Sequence, residues 1–210
     1  KKRYIIINDT TENFDKYIYI LLVRYKILFS NNNQLAILPN IVDKLSKDFN
    51  LNFETFGSFL NVNSNNFCSL YFDIERYFGS FGNFFSTTFI KGFYLFNPPF
   101  QEDIIEIGIN RIIKQLESKE KLGFFISIPI WDIEGKKKYD NSNDYNDFII
   151  ISKIKASKYL KLALDYSKEN FSYIDHFRNV KKNYTIQNTY IFVLANYNDN
   201  FSKIGSYNFF

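Results

Sequence analysis

Phe93-Tyr94-Leu95-Phe96-Asn97-Pro98-Pro99-Phe100 is the stretch that decides the fold. Four apolar residues without a polar break suit a strand that meets a packed layer on both faces of a sheet. Each of the two prolines that follow fixes φ and lacks an N–H, so the strand stops at Asn97. Gln101, Glu102 and Asp103 then put polar and acidic groups at what becomes the positive end of a helix. Its apolar stripe is Ile104, Ile105, Ile109, Ile112, Ile113 and Leu116, and it ends near Lys119. Gly123–Ile130 predicts the next buried strand, closed by Trp131. Strand, turn, helix, strand is a crossover unit of an α/β sheet.

Outward from this unit the pattern continues. Residues 11–29 and 36–49 predict helices, the second with Ile41, Val42, Leu45 and Phe49 on one face. Leu51–Phe56 predicts a strand that stops at Gly57-Ser58. Residues 62–72 show no clear period, and 73–88, with Gly79, Ser80, Gly82 and Ser86 among aromatics, predict an ordered loop. Downstream, Gly135 to Asp147 predicts a polar loop and Phe148–Ile154 a strand. Residues 167–176 have no clear assignment, and Tyr190–Leu194 predicts a last buried strand. No internal repeat is present. The expectation is one α/β domain with its core at 51–210, led in by helices over 1–50. Ligands of such sheets sit at the carboxyl ends of the strands, and that rim carries both Gly57-Ser58 and Asn97.

Composition narrows the classes. With 210 residues, 46% apolar and 23% charged, the chain can bury a core. Its 25 Phe and 16 Tyr accompany abundant Lys and Asn, the bias of AT-rich coding, so the aromatic excess alone marks no site. One cysteine, Cys68, cannot form an internal disulfide, and with one histidine, His176, it cannot build a common zinc site. No metal is expected. No run reaches the roughly 18–20 apolar residues of a membrane span, so no membrane partner is expected. A net charge of +4 mildly favours a polyanionic partner. The chain opens on Lys1 and has no Met, so we expect a segment of a longer protein.

The tetrapeptide Asn97-Pro98-Pro99-Phe100 carries chemistry of its own. The stiff turn aims carbonyls outward, so the Asn97 side-chain oxygen and the Pro98 carbonyl can both accept from one exocyclic amino group. An aromatic amine such as adenine N6 is a poor nucleophile, because its lone pair is delocalised into the ring. Two acceptors favour a tetrahedral nitrogen whose freed lone pair attacks an electrophilic methyl group. Phe100 sits where it can stack on the base, a contact worth about 1–3 kcal/mol in nucleic-acid sites. The plainer alternative is that Asn97 caps the helix, with prolines at its first positions. The tetrapeptide matches the Asp/Asn-Pro-Pro-aromatic motif of amino-group methyltransferases that use S-adenosyl-L-methionine, and by itself leaves DNA, RNA and protein glutamine open as substrates.

A longer resemblance narrows this. Phe53-Glu54-Thr55-Phe56-Gly57-Ser58-Phe59-Leu60-Asn61, Phe67-Cys68-Ser69, Tyr77-Phe78-Gly79-Ser80-Phe81-Gly82 and Asn97-Pro98-Pro99-Phe100 stand in the order and spacing of a known family. Phe125–Trp131 and Asn188–Leu194 follow as its later strands. Over roughly residues 20–196 the chain resembles the catalytic domain of the phosphorylated CTD-interacting factor 1 family, cap-specific adenosine N6-methyltransferases. The resemblance implies a Rossmann-like S-adenosylmethionine-dependent methyltransferase domain. It implies transfer to N6 of the first transcribed 2′-O-methyladenosine beside the 7-methylguanosine cap of mRNA. Asn97, Pro98 and Phe100 would act on the target adenine. Glu54, Gly57, Ser58, Asn61, Gly79 and Ser80 would lie at the methyl donor and Pro99 at the RNA. By position alone, Trp131 at the end of its strand stacks on a base or seals the core edge, and Lys181 and Lys182 before the Asn188 segment are candidate RNA contacts. Capped mRNA would be the partner, the phosphorylated tail of RNA polymerase II would be bound through regions outside this sequence, and the protein would be nuclear. Phe81 stands where the family pattern has arginine, and Ile130 where it has an acidic residue. The rival readings are an adenine N6-methyltransferase acting on DNA or internal RNA, and an inactive domain that binds RNA or the transcription machinery. The run Lys136-Lys137-Lys138 reads as phosphate contacts or as solvated surface.

Overall fold

A computed structural model describes residues 11–28, 35–130, 149–176, 183–185 and 188–210. Its elements in chain order are α1 (Thr11–Leu28), β1 (Leu35–Ile37), α2 (Pro39–Phe49), β2 (Phe53–Glu54), β3 (Asn66–Phe67) and α3 (Phe72–Glu75). They continue with β4 (Gly92–Phe96), α4 (Glu102–Gln115), β5 (Leu122–Pro129), α5 (Ile149–Lys155), β6 (Leu160–Tyr166), β7 (Tyr173–Asp175), β8 (Asn183–Tyr184) and β9 (Thr189–Ala195). Short 3-10 turns follow α3 at Arg76–Phe78 and close the chain at Phe201–Ser206.

The fold is mixed α/β around a mostly parallel six-stranded sheet in the order β3-β2-β4-β5-β9-β6. Neighbours β3-β2, β2-β4 and β4-β5 are parallel, and β9 runs antiparallel between β5 and β6. Register follows side-chain volume: Phe93 and Leu95 pair with Gly123 and Phe125, and Phe125 in turn with Val193. A second, three-stranded sheet, β1-β7-β8, is antiparallel throughout.

Strand period sorts the core into two layers, because successive side chains point to opposite faces. On one face Phe93, Leu95, Phe125, Ile191 and Val193 pack with Ile41, Val42, Leu45 and Phe49 of α2. On the other, Phe96, Phe124, Ile126, Phe192 and Leu194 pack with Ile105, Ile109 and Ile112 of α4 and with Ile150, Ile151 and Ile154 of α5. Each such side chain contributes about 1.5–3 kcal/mol relative to exposure, so the two-sided burial fixes the sheet between its helices. A third cluster joins Leu21 and Tyr25 of α1 to Ile74 and Phe78. α2, inside the expected lead-in over 1–50, thus shares one apolar core with the sheet.

Several expectations are corrected. The helix expected over 36–49 begins at Pro39, because the residue before a proline is driven out of the helical region: Leu38 has φ −52° and ψ 133°, and Leu35–Ile37 pairs with β7 instead. Within the strand expected over Phe148–Ile154, Ile149–Lys155 is helical. A short apolar run does not separate strand from helix by period, and Ile150, Ile151 and Ile154 meet the core together only on a helix face. β6 was not expected at all. The helix after the prolines ends at Gln115 rather than near Lys119, and the strand in 51–56 pairs only at Phe53–Glu54. Among the described residues no helix is long and apolar enough to cross a membrane, and no group of three His, Cys, Asp or Glu is placed to hold a metal.

Candidate active site

The winding of the sheet reverses between β2 and β4: β2 connects outward to β3, whereas β4 connects through α4 to β5 on the other flank. The loops leaving the carboxyl ends of β2 and β4 therefore part at this point and open a crevice. A cleft of about 630 Å³ lies there, of a size that holds a nucleotide-like ligand. It is lined by Thr55 to Ser58 and Asn61 after β2, Cys68 to Leu70 after β3, and Asn97 to Gln101 after β4. Tyr25, Leu35, Asn83 to Phe85 and Ile104 complete the wall.

Asn97 is held from outside its own sheet. Its Nδ2 donates to the Leu35 carbonyl at 3.2 Å, while Oδ1 is buried without a hydrogen-bond partner. The capping alternative fails, since Gln101 occupies the cap position of α4 and no side chain caps that end. The prolines are fixed by the turn itself, where the Gln101 N–H donates to the Pro99 carbonyl at 2.8 Å. Phe100 is half-buried and meets Tyr173 edge-on, centroids 5.7 Å apart at 67°. Tyr173 is anchored behind it, its hydroxyl within 3.0 Å of Ser127 Oγ and 3.3 Å of Thr189 Oγ1. Burial pushes that phenol up to about 12, so it stays neutral.

The opposite wall is a compact turn. The Asn61 Oδ1 accepts from the Ser58 N–H at 2.8 Å and lies 3.2 Å from Ser58 Oγ. Gly57 leaves little room for a side chain, since a Cβ there would stand 3.3 Å from Phe67 Cβ. Thr55 stitches this wall to the β4 end by donating to the Leu95 carbonyl through both N–H (2.8 Å) and hydroxyl (2.9 Å). Cys68 faces the cleft, but burial pushes its thiol up to about 11. Burial thus favours the protonated thiol, the weaker nucleophile.

The expected site residues divide accordingly. Asn97, Pro98, Pro99 and Phe100 line the cleft together with Gly57, Ser58 and Asn61. Glu54 does not: it is buried beneath the loop, and its Oε1 accepts from the N–H groups of Asn63 (2.7 Å) and Ser64 (2.6 Å). Gly79 sits outside the lining at φ 97°, where its missing Cβ matters. Ser80 lies one layer back, 2.6 Å from the Oγ of the lining residue Ser69. Phe81 is exposed and leans on Phe53, and Ile130 donates its N–H to the Asn188 carbonyl. Trp131, Lys181, Lys182 and the Lys136–Lys138 run lie outside the described residues.

Sequence reasoning missed Tyr25 and Glu75. Glu75 is fully buried; its Oε1 accepts from the Phe59 N–H at 2.8 Å and its Oε2 from the Tyr25 hydroxyl at 2.8 Å. The two partners lie 50 and 16 residues away, and no local spacing announces such a pair.

A family model described as the phosphorylated CTD interacting factor 1 WW domain matches residues 3–175. Two curated proteins named mRNA (2'-O-methyladenosine-N(6)-)-methyltransferase, from Mus musculus and Homo sapiens, are similar over 137 residues at 32% and 31% identity. Each alignment covers 61% of this chain and 19% or 20% of the relative, so the chain spans about a fifth of the length of the curated relatives it matches. The match over most of the sequence means that this chain belongs to the phosphorylated CTD interacting factor 1 family.

Proposed function

We propose that the chain forms a Rossmann-like methyltransferase domain that methylates N6 of the first transcribed adenosine beside the cap of mRNA, using S-adenosyl-L-methionine. The observation that carries this reading is the buried, unpartnered Oδ1 of Asn97 at the mouth of a proline-stiffened turn. An unsatisfied buried acceptor costs about 1–3 kcal/mol, a cost removed when a ligand N–H reaches it. The relatives' printed activity, methylation of 2'-O-methyladenosine at N6, supplies a donor group of that kind.

The residues fit the methyl donor in kind. Aromatic Phe56, Phe84 and Phe85 line the cleft beside the polar groups of Ser58, Asn61 and Ser69, a mixed lining suited to an adenosine with a polar tail. S-Adenosyl-L-methionine, when bound, supplies the electrophilic methyl group. The chain's own work is at the adenine. Asn97 Oδ1 and the Pro98 carbonyl accept the two N6 hydrogens and draw the nitrogen toward a tetrahedral shape, exposing its lone pair. Phe100, braced by Tyr173, stacks on the ring and sets its height. Little stacking is broken to bring in a base from a single-stranded 5′ end. Catalysis is positioning plus hydrogen bonding, with no covalent enzyme intermediate. A nuclear location goes with this substrate.

The test is methyl transfer from labelled donor to two short RNAs that begin with 2′-O-methyladenosine, one capped by 7-methylguanosine and one not. The expected result is N6-methylated product from the capped RNA alone. Product from duplex DNA or internal adenosine instead moves the assignment to another adenine N6-methyltransferase, and donor binding without any product removes it.

A further inference from the structure

Behind the cleft wall lies a carboxylate that the reaction above does not use. Glu75 is 0% exposed, and the hydrogen bonds to its carboxylate come from donors: the Phe59 N–H, the Tyr25 hydroxyl and the Tyr71 N–H at 3.3 Å, with the Ser69 hydroxyl a further one. Such a set matches an ionised carboxylate, which only accepts. Burial is the largest influence and leaves the carboxyl's proton affinity above the ordinary value, while these hydrogen bonds offset part of that rise. Among the described residues no cation pairs with it; the nearby Arg24 is committed to Asp73, at 2.8 Å. A buried charge without a counter-ion is costly. Two residues that touch Glu75 or flank its contact also face the cleft, Tyr25 directly and Ser58 beside Phe59. Through Tyr25 this carboxylate is joined by one hydrogen bond to the wall of the cleft.

We propose that Glu75 is a positioning residue whose buried charge makes the cleft select a cationic ligand, the sulfonium of the methyl donor, over the neutral product left after transfer. This rests on the methyl-donor reading. Glu75 holds Tyr25 and the 58–61 turn in place, and its charge favours the donor before transfer and loses that preference once the sulfur becomes neutral. Donor binding and product release are then tuned by one side chain that touches neither ligand.

Calorimetric titration of the chain with S-adenosylmethionine and with S-adenosylhomocysteine tests this. Glu75→Gln keeps the shape and removes the charge. The expected result is a fall of about tenfold in the ratio of donor to product affinity, the size of one unit charge acting over about 12 Å through an effective dielectric near 20. Tyr25→Phe keeps the ring in the wall but withdraws one hydrogen bond from the charged form. It lowers the same ratio by a few fold, and it decides the matter if Glu75→Gln does not fold. Equal weakening of both ligands in these variants, or no change, overturns the proposal and leaves Glu75 a structural residue. So does a ratio that moves only for capped dinucleotides with and without the guanine methyl cation. Failure of the unaltered chain to bind either ligand overturns the methyl-donor reading itself.

Discussion

Asn97 and Leu35 are joined across the two sheets: the Asn97 amide donates at 3.2 Å to a backbone carbonyl 62 residues earlier in the chain. This bond fixes which end of the amide is Nδ2 and which is Oδ1. With Nδ2 spent on Leu35, Oδ1 is left buried without a hydrogen-bond partner in a residue that lines the cleft. The small β1-β7-β8 sheet thus bears on the cleft, because β1 fixes the orientation of a side chain in its wall.

Asn97→Ala removes that acceptor and leaves the fold nearly intact, since only one half-exposed hydrogen bond goes with it. Loss of a single preorganised polar group at the reacting atom costs about 10²–10³ in rate. The expected outcome is a loss of methyl transfer of that order with donor affinity unchanged, read by single-turnover transfer alongside calorimetry. Asn97→Asp loses the donor to Leu35 as well and sets a carboxylate against a carbonyl, so it is no more active than the alanine variant.

Phe100→Ala tests the stacking surface. Base stacking on an aromatic ring is worth about 1–3 kcal/mol, so KM for RNA rises by about 5- to 150-fold. Phe100→Tyr keeps the ring and its edge-on contact with Tyr173 and stays near the parent value. Steady-state kinetics on the capped RNA separate the two.

The two-sided strand at 93–96, the proline stop and the helix after it are legible in the sequence because each is a local signal: an unbroken apolar run, two missing N–H groups and an apolar stripe. The rim that gathers Gly57-Ser58 and Asn97 follows from strand direction alone. Other features are not local. Leu160, Leu162 and Leu164 do alternate, yet the short edge strand they form gains its identity only by pairing with β9. Ile150, Ile151 and Ile154 are as compatible with a strand as with a helix until α4 is present to pack on. Tyr25 and Glu75 meet through tertiary structure, and a carboxylate in Phe-Asp-Ile-Glu reads as solvated surface until Tyr25 covers it.

The helix at 149–155 gives a direct mutational test. Ile151 and Ile154 are both buried, whereas Ser152 is exposed. On a strand Ser152 and Ile154 would share a face; on a helix Ile151 and Ile154 do. Ile151→Ala and Ile154→Ala should each cost about 2–5 kcal/mol, while Ser152→Ala stays within about 0.5 kcal/mol, as measured by urea unfolding.

Asp48 makes stability depend on pH at the acid end. Its carboxyl is held below the ordinary range, first by the hydrogen bond from Lys203 Nζ at 2.7 Å and then by that from the Tyr207 hydroxyl. A folded-state pKa that is depressed adds stability above the unfolded carboxylate pKa of about 3.9, and the addition disappears as pH falls through the folded value. Asp48→Asn should therefore melt below the parent at pH 7 and converge with it in acid, with a gap at pH 7 that salt narrows. Thermal melts across pH and ionic strength check all three.

Gly108→Ala sets two effects of opposite sign against each other. In a helix interior alanine is favoured over glycine by about 0.8–1.0 kcal/mol. Here, however, a Cβ would stand 2.5 Å from Phe96 Cζ and 2.8 Å from its Cε2. Phe96 is 0% exposed, packed between α4 and the sheet, so its ring has nowhere to retreat. Overpacking of this kind costs about 1–3 kcal/mol and wins, lowering Tm by about 2–4 °C for each net kcal/mol in a chain of this size. Phe96 is also the residue before Asn97, so the displaced ring tilts the turn and methyl transfer falls together with stability. The double variant Gly108→Ala with Phe96→Leu opens the space and recovers part of both. If the single change raises Tm, helix propensity outweighs the clash and α4 is looser against β4 than the 2.5 Å approach implies.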